Sequence, residues 1–185
     1  MSLIQETARG RTLATAEPTL RYASPADTRL MFQSVLIVCH ANVCRSPVAE
    51  MLFRACLGRF AAQSARAAQV KAIEFTSAGL HAEDGNGIDP VMRRLLDERD
   101  VDTSGHTARR FDRRMARSAD LILVPERRQI ATIEKMDPVT HGKVHLLGKW
   151  EDSEVADPHG GHEIAYRESV RLIERLVHGW LNKIC

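Results

Sequence analysis

The stretch Val35-Leu36-Ile37-Val38-Cys39-His40-Ala41-Asn42-Val43-Cys44-Arg45-Ser46-Pro47 restricts this chain more than any other. Four aliphatic residues in a row, three of them β-branched, read as a strand buried on both faces, the mark of a parallel sheet. Pro47 suits the first position of a helix, with Ser46 as its N-cap. Val48 to Cys56 then continues as an amphipathic helix. A short polar loop therefore joins a buried strand to a helix N-terminus. Such a loop turns backbone N–H groups inward and forms a concave anion site.

Cys39 and Arg45 stand at the two ends of that loop. A thiol at the floor of a ring of amides feels their field, which favours the thiolate, the nucleophilic form. The planar guanidinium of an arginine six positions on can fold over the bowl and grip two oxygens of a phosphate. Nucleophile, oxyanion cradle and charge clamp thus come from one segment.

The rest of the chain alternates strands and helices. Val70–Thr76 reads as a second strand, Asp120–Val124 as a third and Val144–Leu147 as a fourth. Helices follow at Asp89-Pro90 through Leu96, near 112–117, from Glu126 to Met136, and from about His162 to Leu181. This order predicts an α/β fold: a four-stranded parallel sheet flanked by helices on both faces, with the phosphate-binding loop after the first strand. In such sheets the site lies at the carboxyl ends of the strands.

Residues 1–33 mix Ala, Thr, Arg and Glu around Pro18 and Pro25 without a sustained period. They read as a flexible N-terminal extension, with Met31 as an alternative natural start or the segment as a docking tail. Residues 34–185 form one domain. The charges nearly cancel, 26 basic against 24 acidic, so nothing points to nucleic acid or a membrane surface. No apolar stretch approaches a membrane span, and the N-terminus lacks a secretory apolar region. Cysteines at 39, 44, 56 and 185 fit reduced thiols in a cytoplasm better than a disulfide scaffold or zinc ribbon.

The segment Cys39-His40-Ala41-Asn42-Val43-Cys44-Arg45-Ser46-Pro47 resembles the signature loop of the low-molecular-weight protein tyrosine phosphatases. Thr76-Ser77-Ala78-Gly79, Gly105-His106-Thr107-Ala108-Arg109 and Asp157-Pro158 follow in the order and spacing of that family, so the resemblance covers about Ser34 to Cys185. It implies hydrolysis of phosphotyrosine through a cysteinyl-phosphate. Cys39 attacks phosphorus in line, the loop amides and Arg45 stabilise the equatorial oxygens, and a carboxylic acid protonates the leaving phenolate. Three aspartates precede prolines: Asp89, Asp137 and Asp157. Asp89 and Asp137 sit at helix boundaries, whereas Asp157 lies in a long loop before Gly160-Gly161. The resemblance also selects Asp157 as the general acid.

By the same resemblance, Asn42 and His106 hold the loop's shape and Ser46 hydrogen-bonds the thiolate. Arg109 is expected to make a structural ion pair. Cys44 is either a small packing residue or a redox partner that shields Cys39 by forming a disulfide. His40, Ala41, Val43 and Cys44 complete the phosphate-binding loop. Ala41 stands where the family usually has glycine, which costs something if that backbone needs positive φ. His40 replaces a commonly apolar wall residue, and His159-Gly160 stand where animal members carry tyrosines. The match is nearer to the bacterial members paired with tyrosine kinases of exopolysaccharide export. The resemblance implies a phosphotyrosine protein as partner, with such a kinase as a candidate.

Arsenate reductases share the scaffold but relay electrons through further cysteines, and none lies between Cys56 and Cys185. Protein arginine phosphatases carry Thr where this chain has Val43, and an apolar residue suits an aromatic ring better than a guanidinium. A non-catalytic phosphotyrosine-binding module would not need Cys39, Arg45 and Asp157 together. The loop His159-Gly160-Gly161-His162 offers two histidines but no clear third ligand, so neither a metal nor another cofactor is expected.

Overall fold

A computed structural model describes residues 32–63 and 67–185. The expected N-terminal extension falls, but for Phe32 and Gln33, outside the described residues. Strand β1 (Ser34–Cys39) is flanked by β2 (Glu74–Gly79) and β3 (Leu121–Val124), and β4 (Val144–Leu146) pairs with β3. The order is β2-β1-β3-β4 and every pairing is parallel. The helices are α1 (Arg45–Gln63), α2 (Ala67–Lys71), α3 (Pro90–Asp97), α4 (Arg113–Ser118), α5 (Arg127–Met136) and α6 (Glu163–Ile184).

Alternate residues of a strand face opposite sides of a sheet, and the two central strands divide in that way. Val35, Ile37, Leu121 and Leu123 pack with α1, α3 and α6 residues such as Phe53, Leu95 and Ile173. Leu36, Val38, Ile122 and Val124 pack with Ala116 of α4 and Ile133 of α5. Both faces of the sheet are therefore covered, which is why these strands read as unbroken aliphatic runs. Trp180 of α6 closes one end by donating Nε1–H to Leu147 O at 2.7 Å.

Two local expectations are corrected. Val70 lies in the last turn of α2 instead of starting a strand, and its carbonyl accepts the Ile73 N–H at 3.1 Å. The strand begins four residues later and continues through Ser77-Ala78-Gly79. Spacing alone merged a buried helix end with the strand beyond the turn. Ser46 is not an N-cap. The helix starts at Arg45, Val48 N–H donates to Cys44 O at 3.2 Å, and the Ser46 hydroxyl turns toward Cys39 instead. Asp89 caps α3 as expected, its Oδ1 accepting from Val91 N and Met92 N. No helix among the described residues is long and apolar enough to cross a membrane.

The loop after β1 is clamped by its neighbours at the carboxyl edge of the sheet. Leu80 N–H donates to Cys39 O (2.9 Å), His81 N–H to His40 O (2.8 Å) and Asp89 N–H to Val43 O (2.9 Å). A side chain at Gly79 would bring a Cβ within 2.7 Å of Asn42 N and 2.8 Å of Ala41 C. Only glycine lets β2 approach the loop this closely.

Candidate active site

The floor of the loop is Cys39, 2 % exposed at the end of β1. Its sulfur accepts the Ser46 hydroxyl at 3.0 Å and the Asn42 backbone N–H at 3.3 Å. The N–H groups of Val43, Cys44 and Arg45 donate to no acceptor among the described residues. Orphan amides at a helix start are the donors an anion would take up.

Asn42 sets the loop's shape. It is fully buried with φ +57°, in the left-handed region. Its Nδ2 donates to Ser46 Oγ and Ser77 Oγ, both at 2.9 Å, and its Oδ1 accepts from Arg109 N at 3.0 Å. His106 Nε2 lies 2.8 Å from Asn42 O. A carbonyl only accepts, so that nitrogen carries the proton. The strain expected at Ala41 falls instead on Asn42, a residue type that tolerates positive φ. Beneath the floor, Ser77 Oγ donates to Glu50 Oε2 at 2.5 Å, and Glu50 also meets Arg54 at 2.8 Å. Ser77 and Glu50 received no role from the sequence. Both are polar residues buried against the sheet, visible only once β2 and α1 are packed.

Arg109 makes no ion pair among the described residues. Its Nε donates to Ser77 O at 2.7 Å, and its own N–H holds Asn42. The expected salt bridge is replaced by these hydrogen bonds, which tie Arg109 to β2 and to the loop.

Arg45 is buried to 1 % exposure. One guanidinium nitrogen donates to Glu126 Oε1 and to Val155 O (3.1 Å), and the other lies 2.5 Å from Asp157 Oδ2. Its Nε is buried without a partner among the described residues. Glu126 was legible only as a helix start; the structure makes it the anchor of Arg45. Burial works to raise the Glu126 carboxyl, but hydrogen bonds from Arg128 and Arg45 outweigh it, and its pKa lies below the ordinary glutamate value.

Cys39, His40, Ala41, Val43, Cys44, Arg45, Asp157 and His159 line one small cavity of about 40 Å³. Cys39, Arg45 and Asp157 are thus brought together although Arg45 and Asp157 are 112 residues apart. Asp137 is not part of this cavity; it pairs with Arg117 at 2.7 Å. His162 does not join His159 there. Instead His159 Nδ1 lies 3.4 Å from Asp89 Oδ2, next to Cys44. Burial pushes the Cys44 thiol well above its ordinary value, helped by the negative charges of Asp89, Asp157 and Cys39 and opposed by Arg45. The cavity is far below the few hundred Å³ of pockets for organic cofactors. It suits a compact tetrahedral anion with its ester group projecting outward between His40 and His159.

The profile of the low molecular weight phosphotyrosine protein phosphatase family matches residues 34–185. The low molecular weight protein-tyrosine-phosphatase Wzb of Escherichia coli K12 is 36 % identical over 151 residues, covering 81 % of this chain and 94 % of that protein. The probable low molecular weight protein-tyrosine-phosphatase AmsI of Erwinia amylovora is 31 % identical, covering 83 % of this chain and 99 % of that protein. A crystal structure of the tyrosine phosphatase Wzb from Escherichia coli K30 with sulphate superposes with a TM-score of 0.73 at 30 % identity, over 83 % of this chain and 99 % of that one.

Proposed function

The chain belongs to the low molecular weight phosphotyrosine protein phosphatase family and is a protein-tyrosine-phosphatase, and from that premise we propose that Cys39, Arg45 and Asp157 carry the reaction within the catalytic unit 34–185. One observation supports this most. The Cys39 sulfur accepts hydrogen bonds from Ser46 Oγ and Asn42 N on the floor of the cavity that Arg45 and Asp157 also line. Two donors thus converge on the sulfur that the reaction uses.

In this reading the phosphate of the substrate enters the bowl. Its equatorial oxygens take the free N–H groups of Val43, Cys44 and Arg45 together with the unpartnered Arg45 Nε. The Cys39 thiolate forms the S–P bond as the P–O bond to the phenolate breaks. Asp157, protonated, gives its proton to the leaving oxygen. The resulting aspartate then takes a proton from a water that attacks phosphorus, breaking the S–P bond. Thiolate, protonated Asp157 and inorganic phosphate are restored. Glu126 and Val155 O hold Arg45 so that its planar fork is set before substrate arrives.

The protein substrate is a phosphotyrosine protein, and a bacterial tyrosine kinase of exopolysaccharide export is the partner the family resemblance suggests. We assign the reaction to the cytoplasm, a reading that the free thiols of Cys39 and Cys44 support. The test compares phosphate release from phosphotyrosine and phosphoarginine peptides. Phosphotyrosine should be turned over, with a cysteinyl-phosphate trapped on Cys39 by rapid acid quench. Release from phosphoarginine alone, or a phosphoryl group recovered on another residue, overturns the assignment.

A further inference from the structure

The catalytic scheme leaves Cys44 unused, yet Cys44 is not isolated. Its sulfur, an oxygen of Asp89 and a ring nitrogen of His159 all lie within 4.8 Å of one another. These three residues come from three places: the loop end just before α1, the cap of α3 and the loop before α6. We propose that Cys44, Asp89 and His159 form a binding site for a single divalent cation of borderline softness, Zn(II) being the best match, whose occupancy closes the phosphate bowl.

The donor set selects the metal. A thiolate and an imidazole beside one carboxylate suit zinc, whereas magnesium and calcium take oxygen ligands throughout. Bond lengths of ~2.0–2.3 Å place the ligand atoms of tetrahedral zinc roughly 3.4–3.7 Å apart. His159 Nδ1 and Asp89 Oδ2 already stand at 3.4 Å. The remaining edges have to close by about an ångström.

Two ligands are fixed and one is free to move, which is how that closure can occur. Asp89 Oδ1 is held by the Val91 and Met92 N–H groups, leaving Oδ2 turned toward His159 and the Tyr166 hydroxyl. Cys44 is buried in the first turn beside α1, and its sulfur makes no hydrogen bond among the described residues. The His159 side chain is 66 % exposed, and Gly160 after it has φ +75°. His159 is thus the arm that swings onto a cation seated by Cys44 and Asp89. Binding releases the Cys44 thiol proton to solvent, and a neutral imidazole supplies the nitrogen.

Cys44 and His159 also line the cavity that holds Cys39, Arg45 and Asp157. A cation there faces its open fourth position toward that cavity and occupies the path of the phosphate ester. Inhibition therefore rests on the phosphatase reading, whereas cation binding does not.

Co(II), which replaces Zn(II) and absorbs visibly, tests the site in the full chain. Reduced Cys39→Ser protein should bind one equivalent and show a sulfur-to-cobalt charge-transfer band that Zn(II) removes. Adding Cys44→Ser should abolish the band, and adding His159→Ala on its exposed loop should weaken Co(II) binding at least 10-fold. Cys56 lies 3.8 Å from His178 and is the competing thiol–imidazole pair. A band that survives Cys44→Ser, or is lost with Cys56→Ala, overturns the proposal, as does an affinity indifferent to His159→Ala. With the wild type, Zn(II) should stop aryl phosphate hydrolysis at the concentration that fills the site, and a chelator should restore it. Full hydrolysis at saturating Zn(II) overturns the inhibitory role. No hydrolysis even in metal-free buffer would sink the phosphatase reading while leaving the Co(II) result standing.

Discussion

The phosphate loop and the acid loop meet at one cavity but are built in opposite ways. From Cys39 to Ser46 the chain is buried or half-buried apart from the rim residue His40, and Asn42 ties it to Ser46, Ser77 and Arg109. Asp157 is 36 % exposed, and among the described residues its carboxylate meets Arg45 and, at 3.4 Å, the His159 N–H. The first region is an over-determined cradle. The second is a reachable arm. Phosphoryl transfer needs both characters, since developing charge is stabilised best by dipoles that do not reorganise, while a proton donor has to follow a leaving group that departs.

If that contrast is correct, the largest loss comes from the cradle's floor. Cys39→Ser should lower kcat by about 10⁵-fold or more while Tm stays near that of the wild type, because one buried atom is exchanged for a smaller one. A cysteinyl-phosphate in that variant, or turnover near the wild-type rate, breaks the scheme. Asp157→Ala should cost about 10²–10⁴-fold for a phenyl leaving group. The loss should shrink steeply for leaving groups that depart without a proton, and Tm should hold because the side chain is partly in solvent. A loss independent of the leaving group would make Asp157 a binding residue rather than an acid.

Asn42→Ala separates shape from chemistry. It removes three side-chain hydrogen bonds and leaves alanine at φ +57°. The expected destabilisation is about 2–4 kcal/mol, read as a Tm drop of roughly 5–10 °C. Loosening of the floor should lower kcat by roughly 10–100-fold. Wild-type Tm would mean the loop keeps its shape from the backbone clamps at Leu80, His81 and Asp89 alone.

The cradle was legible because its parts are contiguous: strand, thiol, polar loop, arginine and proline fall within thirteen residues. The sheet was legible because both central strands are buried on two faces and so carry no polar interruption. What stayed hidden is what joins distant segments. The Ser77–Glu50 pair spans 27 residues and Arg45–Glu126 spans 81. A glutamate before a helix looks like a cap whatever else it touches. Arg109 was assigned an ion pair because charge, not carbonyl geometry, is what a sequence displays. His159 was weighed against His162, its neighbour in sequence, whereas packing sets it beside Asp89 and Cys44.

The smallest expected effect probes how the two regions are joined. Glu126 holds Arg45 from behind while Asp157 meets it from in front. Its folded pKa is depressed, with the hydrogen bonds from Arg128 and Arg45 outweighing the burial that opposes them. A carboxyl whose folded pKa lies below its unfolded value, near 4.5, contributes stability above that unfolded value. The contribution fades as pH falls through the folded one. Glu126→Gln should therefore lower Tm slightly at neutral pH, and the gap from wild type should close as pH falls below the ordinary glutamate range through the depressed folded value. KM for aryl phosphates should rise modestly as Arg45 loses one anchor, with kcat changing less. A Tm gap constant across that range would mean the Glu126 charge does not steady Arg45. The clamp would then be held by Val155 O and Asp157, and so would belong with the exposed arm, not with the buried cradle.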